Sequence, residues 1–443
     1  MELPATTLKD AFNACDPTQA LPAGDQRYVD LMTGRGEEGG AVARCHKRIA
    51  LSTQPLVQLF AGHRGCGKST ELRRLQRELE DDGYFVVYIE AETDLDLEDT
   101  EPADVLLALV RNVDAALRAA GLAVDPKLLE DFLLWFAEVV LEKTEHREIE
   151  AEVRSEAEVR GGVPLFARLM ARFSGWVKTG TASKEMVRQK LERQVSQLLD
   201  RGRLLVEAAR VAVRKDGKKD LVLIVDSLDR VALKDLGDGR SSQEVLFIER
   251  GELLKGFACH QVVTVPISLL FSPKVSNLAA IFPDRHLLPM VKIAERRTRE
   301  PWTEGRDLLV ELLGHRVDPE VGFEKVAVER LIDASGGHPR HLMTLVRYAF
   351  DFVEDLPITG EAAEKAVRRL VNDYGRSIPK DHWPLLAAVY ERQVVENDAD
   401  HQLMLFNLDV LAYQNEVRWY DVHPAVCCVP EFLEARTALR PSA

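Results

Sequence analysis

The sequence predicts an α/β fold, a parallel sheet with helices on both faces, and three observations carry that prediction. Residues 56–60 form a short apolar run that breaks at Gly62 and passes into residues 69–80, where Leu72, Leu75 and Leu79 recur at helical spacing. Residues 221–225 are an unbroken aliphatic run ending in Asp226, the pattern of a strand buried on both faces that delivers a carboxylate to its C-terminal end. Between them, residues 105–213 carry helical periodicity almost throughout, so a large helical insertion separates two parts of one sheet.

Bulk properties narrow the function classes. A chain of 443 residues with 46% hydrophobic and 29% charged content can bury a sizeable core over two or three domains. Its 58 Lys and Arg against 72 Asp and Glu leave a net charge of −14, which disfavours a broadly basic surface for DNA. Six cysteines are scattered without metal-ligand spacing, as expected of a reduced, cytoplasmic chain. The start at Met1-Glu2-Leu3-Pro4 lacks the basic and apolar regions of a secretory signal, and no stretch approaches the roughly 18 apolar residues of a membrane span.

The residues after the first strand are the most specific signal. Gly62, His63, Arg64, Gly65, Cys66, Gly67, Lys68 and Ser69 match the pattern G-x-x-x-x-G-K-[ST], and Thr70 continues into the helix. Glycines let successive backbone N–H groups turn toward the α- and β-phosphates of a nucleoside triphosphate. Lys68 is expected to reach the β- and γ-oxygens, and Ser69 to coordinate Mg²⁺. His63 and Cys66 stand at variable positions and read as spacers.

The aliphatic strand ending in Asp226 supplies the other half of the site. Asp226 is expected to hold Mg²⁺, and Asp229, three residues on, to orient or deprotonate an attacking water. Asp220 reads as a solvated strand-start residue, and the acidic run from Glu90 to Asp104 as a solvated loop. Residues 83–89 and 261–270 read as further core strands, with Thr264 or Ser268 either near the γ-phosphate or a satisfied strand hydroxyl. In the lead segment, residues 1–50, Tyr28, Val29 and Arg35 either contact adenine or ribose, as a similar segment does in many P-loop ATPases, or form a surface lead-in packed on the core. Residues 142–160 read as a charged exposed arm, and residues 165–176 as an apolar-faced segment that docks a partner or completes the local core.

Toward the C-terminus, residues 327–334 are helical, Gly336 and Gly337 end that helix, and Pro339 opens another with Arg340 in its first turn. Asp226-Ser227-Leu228-Asp229-Arg230, the strand at 261–270, the segment 282–290 and Ser335-Gly336-Gly337-His338-Pro339-Arg340 follow one another in an order that resembles AAA+ and STAND-type ATPases. The origin-initiator-like and STAND branches are most similar, over about residues 50–375. KAP-type NTPases have a similar Asp-x-Leu-Asp-Arg turn, normally with a second Asp where this chain has Ser227.

The resemblance implies ATP as the nucleotide and ATP hydrolysis as the activity. It also implies that Arg340 is a lid arginine touching the γ-phosphate, and that Arg285 stands where an arginine finger reaches a neighbouring subunit, with Arg230, Arg296 and Arg297 as competitors. A P-loop ATPase core at 51–290, a helical lid at 291–375 and a small winged-helix-like module at 376–443 follow from the same reading. In that module, residues 383–394 and 403–413 read as helices and 417–422 as a strand, with six Lys and Arg against ten Asp and Glu from 376 onward.

The expected function is an ATP-driven switch controlling a protein partner or self-assembly, with a role in bacterial defence or stress regulation implied by the STAND resemblance alone. The alternatives are an initiator-like DNA-binding ATPase, which the charge disfavours, and a small-molecule kinase.

Overall fold

The computed structural model describes residues 2–36, 40–140, 182–237 and 239–439. At its centre lie five parallel strands: β1 (Val57–Gly62), β2 (Phe85–Glu90), β3 (Leu221–Asp226), β4 (His260–Val265) and β5 (Asp284–Leu288). Their order is β2-β3-β4-β1-β5. One strand, β4, therefore separates β1 from β3, and all C-terminal strand ends emerge at one edge, where ligands of open α/β sheets bind.

Alternation along the strands divides the core. Leu59 of β1 and Leu223 and Val225 of β3 face one buried cluster, while Phe60, Val222 and Ile224 face another. The lead segment contains α1 (Leu8–Ala14) and α2 (Ala41–Leu51), and α3 (Lys68–Asp81) follows the glycine-rich loop. Val42 and Ile49 of α2 join Leu72, Leu75 and Leu79 of α3 over the second cluster.

The insertion comprises α4 (Pro102–Ala119), α5 (Pro126–Val140), α6 (Ala182–Arg193) and α7 (Val195–Lys215). Leu106 and Leu109 of α4 and Leu205 and Val206 of α7 cover the first cluster. The expected arm at 142–160 and apolar segment at 165–176 lie outside the described residues.

Four helices form the lid: α8 (Thr303–Gly314), α9 (Lys325–Ser335), α10 (Pro339–Phe350) and α11 (Gly360–Ser377). The chain leaves α9 through Gly336 and Gly337, both left-handed at φ 63° and 74°. A Cβ at Gly337 would stand 1.8 Å from the Val291 carbonyl oxygen, so this glycine also lets two backbones meet. Beyond the lid come α12 (His382–Arg392), α13 (Ala399–Asn407), an antiparallel hairpin of β6 (Val410–Gln414) and β7 (Arg418–Val422), and α14 (Pro430–Leu439). This winged-helix-like unit shares the core of the sheet: Leu411, Tyr413 and Trp419 lie in the same buried cluster as Phe60 and Cys66.

Four expectations are corrected. The helix expected over 403–413 ends at Asn407; Leu408 turns left-handed at φ 69° and the apolar residues after it pair as β6. A short apolar run fits either period, and here the partner strand decides. The strand expected over 261–270 stops at Val265, because Pro266 has no N–H for the ladder, and residues 267–271 form a 3₁₀ turn. Asp220 is buried, bonded to Arg210 Nε and Nη2 at 2.6 and 2.7 Å and to Arg214 Nη2 at 2.7 Å. Within the acidic run, Asp94 is buried against Arg111 and Asn112 and ties α4 to the segment after β2, while Asp104 is buried against Arg188 and ties α4 to α6. Among the described residues, no helix is long and apolar enough to cross a membrane.

Replacing Gly337 by Ala is expected to cost about 3 kcal/mol or more, because strained φ and a backbone clash coincide there. Gly217, with φ 87° and open space around its Cβ position, serves as control. Equal losses for Gly217→Ala and Gly337→Ala in denaturant unfolding would refute the clash.

Candidate functional site

The glycine-rich loop leaves β1 at Gly62 and ends in the first turn of α3, with Gly65 and Gly67 at φ 79° and 105°. The Lys68 ammonium is buried and shared by three oxygens: Gly62 O and His63 O at 2.8 Å each, and Asp229 Oδ2 at 2.9 Å. Of the two carboxylates expected from the sequence, Asp229 lines the cavity beside the loop and Asp226 a neighbouring one that shares Ser69 and Ser227 with it. Asp226 Oδ2 accepts from Tyr88 Oη at 2.7 Å, its Oδ1 accepts from the Ser227 N–H at 2.7 Å, and the Ser69 hydroxyl also bonds it. Burial raises the Asp226 pKa, the neighbouring Asp229 adds to that, and the hydrogen bonds oppose it.

Ser69 and Asp226 offer hard oxygen donors at the loop, the chemistry Mg²⁺ prefers. Among the described residues, no group of three or more His, Cys, Asp or Glu side chains could hold a metal ion by itself. Such a cation would need further oxygens from a phosphate, which is how Mg²⁺ is held in nucleotide sites.

The cavity beside the loop extends to the lead segment and the lid. Tyr28, Val29 and Arg35 all line it. Arg35 is 1% exposed and donates from Nη2 to Cys66 O at 2.6 Å and from Nη1 to Pro289 O. Tyr28 Oη donates to Glu71 at 3.3 Å, and the Leu21 N–H donates to Thr70 Oγ1 at 3.2 Å. Arg340 reaches the cavity from α10; its N–H donates to Gly65 O at 3.3 Å and its Nε to Pro17 O at 3.1 Å. Burial, then Arg230, lowers the pKa of Arg340.

Three candidates fall elsewhere. Arg285 lies outside this cavity, early on the edge strand β5, where Nη1 donates to Phe282 O at 2.8 Å. Thr264 Oγ1 donates to Val225 O and accepts from the Leu228 N–H, and Ser268 donates to Gln243 Oε1, so both hydroxyls are internally satisfied.

Sequence reasoning missed the role of His63. This loop residue is fully buried: Nδ1–H donates to Leu405 O at 3.2 Å and Nε2 accepts from the Ala412 N–H at 2.9 Å, both in the C-terminal unit. His338 likewise donates from Nε2 to Arg64 O at 2.7 Å while its Nδ1 caps α10 by accepting from the His341 N–H. His341 Nδ1 accepts in turn from His423 Nε2 at 2.9 Å, with His423 Nδ1 accepting from the Ala425 N–H. Tyr88 was also missed; nothing in its strand distinguishes it until Asp226 is placed beside it.

Burial, with Lys68 nearby, lowers the His63 pKa to about 3, and burial with Arg340 nearby lowers that of His341 to about 4. A depressed imidazole pKa gives stability that is complete above the unfolded value and lost as pH falls toward the folded one. The stability advantage of wild type over His63→Gln should therefore shrink by about 1.4 kcal/mol per pH unit below roughly 6.5. Denaturant titrations from pH 7.5 to 5 check this, and a pH-independent difference contradicts it.

No protein-family model and no curated protein matches the chain. Solved structures similar to it include Cdc6p from Pyrobaculum aerophilum, at 12% identity and TM-score 0.40 over 98% of this chain and 100% of that one. The ORC2 protein of Aeropyrum pernix, in ADPNP–ADP complexes, is 13% identical with TM-score 0.43 over 96% and 98% of the two chains. A Walker-type ATPase of Pyrococcus abyssi is 12% identical with TM-score 0.42 over 93% and 98%. The site itself is a glycine-rich loop whose lysine and two carboxylates converge at the C-terminal edge of a parallel sheet, with Arg340 of α10 lining the cavity beside it.

Proposed function

We infer that the chain is an ATP-binding and ATP-hydrolysing switch, whose nucleotide state sets the seat of the lid and the C-terminal unit and thereby controls a protein partner or self-assembly. One observation carries this reading: the phosphate loop is the point at which three parts of the chain meet. The lid reaches it through His338 on Arg64 O and Arg340 on Gly65 O, and the C-terminal unit through Leu405 and Ala412 on His63. A loop that reshapes around phosphates moves the partners of both.

Chemistry at the loop follows from the donors present. A triphosphate entering the cleft draws the Lys68 ammonium from Asp229, whose carboxylate is then available to hold a water in line with the terminal phosphoryl group. Arg340, which lines the same cavity, would stabilise charge as that group transfers. Mg²⁺, held by Ser69 and Asp226 together with phosphate oxygens, would supply charge neutralisation. Arg285 would act only on a neighbouring copy's nucleotide. From residue 376 onward six Lys and Arg face ten Asp and Glu, which favours a protein partner over duplex DNA for the C-terminal unit. A defence or stress role rests on the STAND-like motif order.

Lys68→Ala is expected to abolish retention of labelled ATP. Asp229→Ala should retain ATP at wild-type affinity or better, since it frees the lysine, while hydrolysis falls roughly 100-fold or more. Light scattering with a non-hydrolysable ATP analogue then separates an assembling switch from a monomeric one. The reading fails if wild-type protein neither retains nor hydrolyses ATP.

A further inference from the structure

We propose that the Arg64 side chain reads the terminal phosphate of the bound nucleotide, and that the C-terminal unit competes for it through the ring of Phe406. This rests on the nucleotide-switch reading above and deepens it, by naming the contact through which a third phosphate is distinguished from a second.

Arg64 stands at a variable position of the phosphate loop and its side chain lines the cavity. Its guanidinium lies 4.1 Å from the centroid of Phe406 on α13. One amino group donates to Arg230 O at 3.1 Å, and its buried Nε has no hydrogen-bond partner. The acid that bears most on it, Asp229, is engaged by Lys68. Arg230, which also pairs with Glu92, and Arg340 line the same cavity, so three guanidinium groups converge on it. Such a cluster suits a polyanion, and a guanidinium prefers a phosphate to an aromatic face because it gains charge-assisted hydrogen bonds there.

The arrangement sets two ligands against one side chain. With Arg64 over Phe406, α13 keeps its cation–π partner. A terminal phosphate that draws the guanidinium inward leaves the Phe406 ring without it and loosens the C-terminal unit on the loop. Coupling of this kind is reciprocal, so weakening the Phe406 contact must strengthen binding of the triphosphate.

The test measures ATP and ADP affinities by equilibrium binding. Arg64→Gln is expected to lower ATP affinity about ten- to a hundredfold with ADP affinity nearly unchanged, the scale of one lost charge-assisted hydrogen bond. Arg64→Lys, which keeps the charge and serves where Gln disturbs the loop, should lose part of that preference. Phe406→Leu should raise ATP affinity roughly fivefold, leave ADP affinity alone, and have no effect in the Arg64→Gln background. A non-hydrolysable ATP analogue, and not ADP, should speed hydrogen exchange in Ala399–Asn407. The proposal is overturned if Arg64→Gln weakens ATP and ADP alike, or if Phe406→Leu leaves the ATP-to-ADP ratio at its wild-type value. A wild-type protein that binds neither nucleotide removes the switch reading and this one together, whereas a binder with an unchanged ratio removes this one alone.

Discussion

A single buried ammonium organises the centre of this molecule. Lys68 Nζ is held by two loop carbonyls and by Asp229, so the loop after β1 and the turn after β3 are tied across the intervening strand. A buried cation without those oxygens would be costly, since desolvation far exceeds what one weak contact returns. The same three oxygens make the site responsive, because any polyphosphate that engages the lysine must replace part of this shell.

From that point outward the site is arranged in layers of decreasing locality. Asp226 ends β3, oriented by Tyr88 and the Ser227 N–H, and Asp229 comes from the turn after it and is held by Lys68. The arginines come from the loop, the turn after β3 and the lid, and Arg35 from the lead segment braces the loop from behind through Cys66 O. The histidines are held neutral by burial. His63, His338 and His423 act as fixed hydrogen-bond connectors, each with one ring nitrogen donating and the other accepting.

Much of this was legible in the chain itself, and the reason is local. The loop, its strand and its helix lie within 25 consecutive residues, from Val57 to Asp81, and the β3 carboxylates follow an aliphatic run that only a doubly covered strand requires. The glycine pair at 336 and 337 and the proline after it announce a helix end and a helix start without reference to anything distant. What escaped depends on partners far away in sequence. Asp220 reads as solvated until Arg210 and Arg214 fold back on it, and His63 reads as a spacer until residues 405 and 412 close over it. The boundary between α13 and β6 was lost because one apolar run satisfies both periods, and pairing with β7 settles the matter.

The buried cluster that joins Leu411, Tyr413 and Trp419 to Phe60 and Cys66 constrains how this chain can vary. Its tail is not an interchangeable cartridge. The non-glycine positions of the phosphate loop, nominally open to any residue, are here matched to side chains more than three hundred residues downstream, so recombination that grafts on a foreign tail must rewrite the loop as well. Drift in one part is answerable to the other, and the two should change together or not at all.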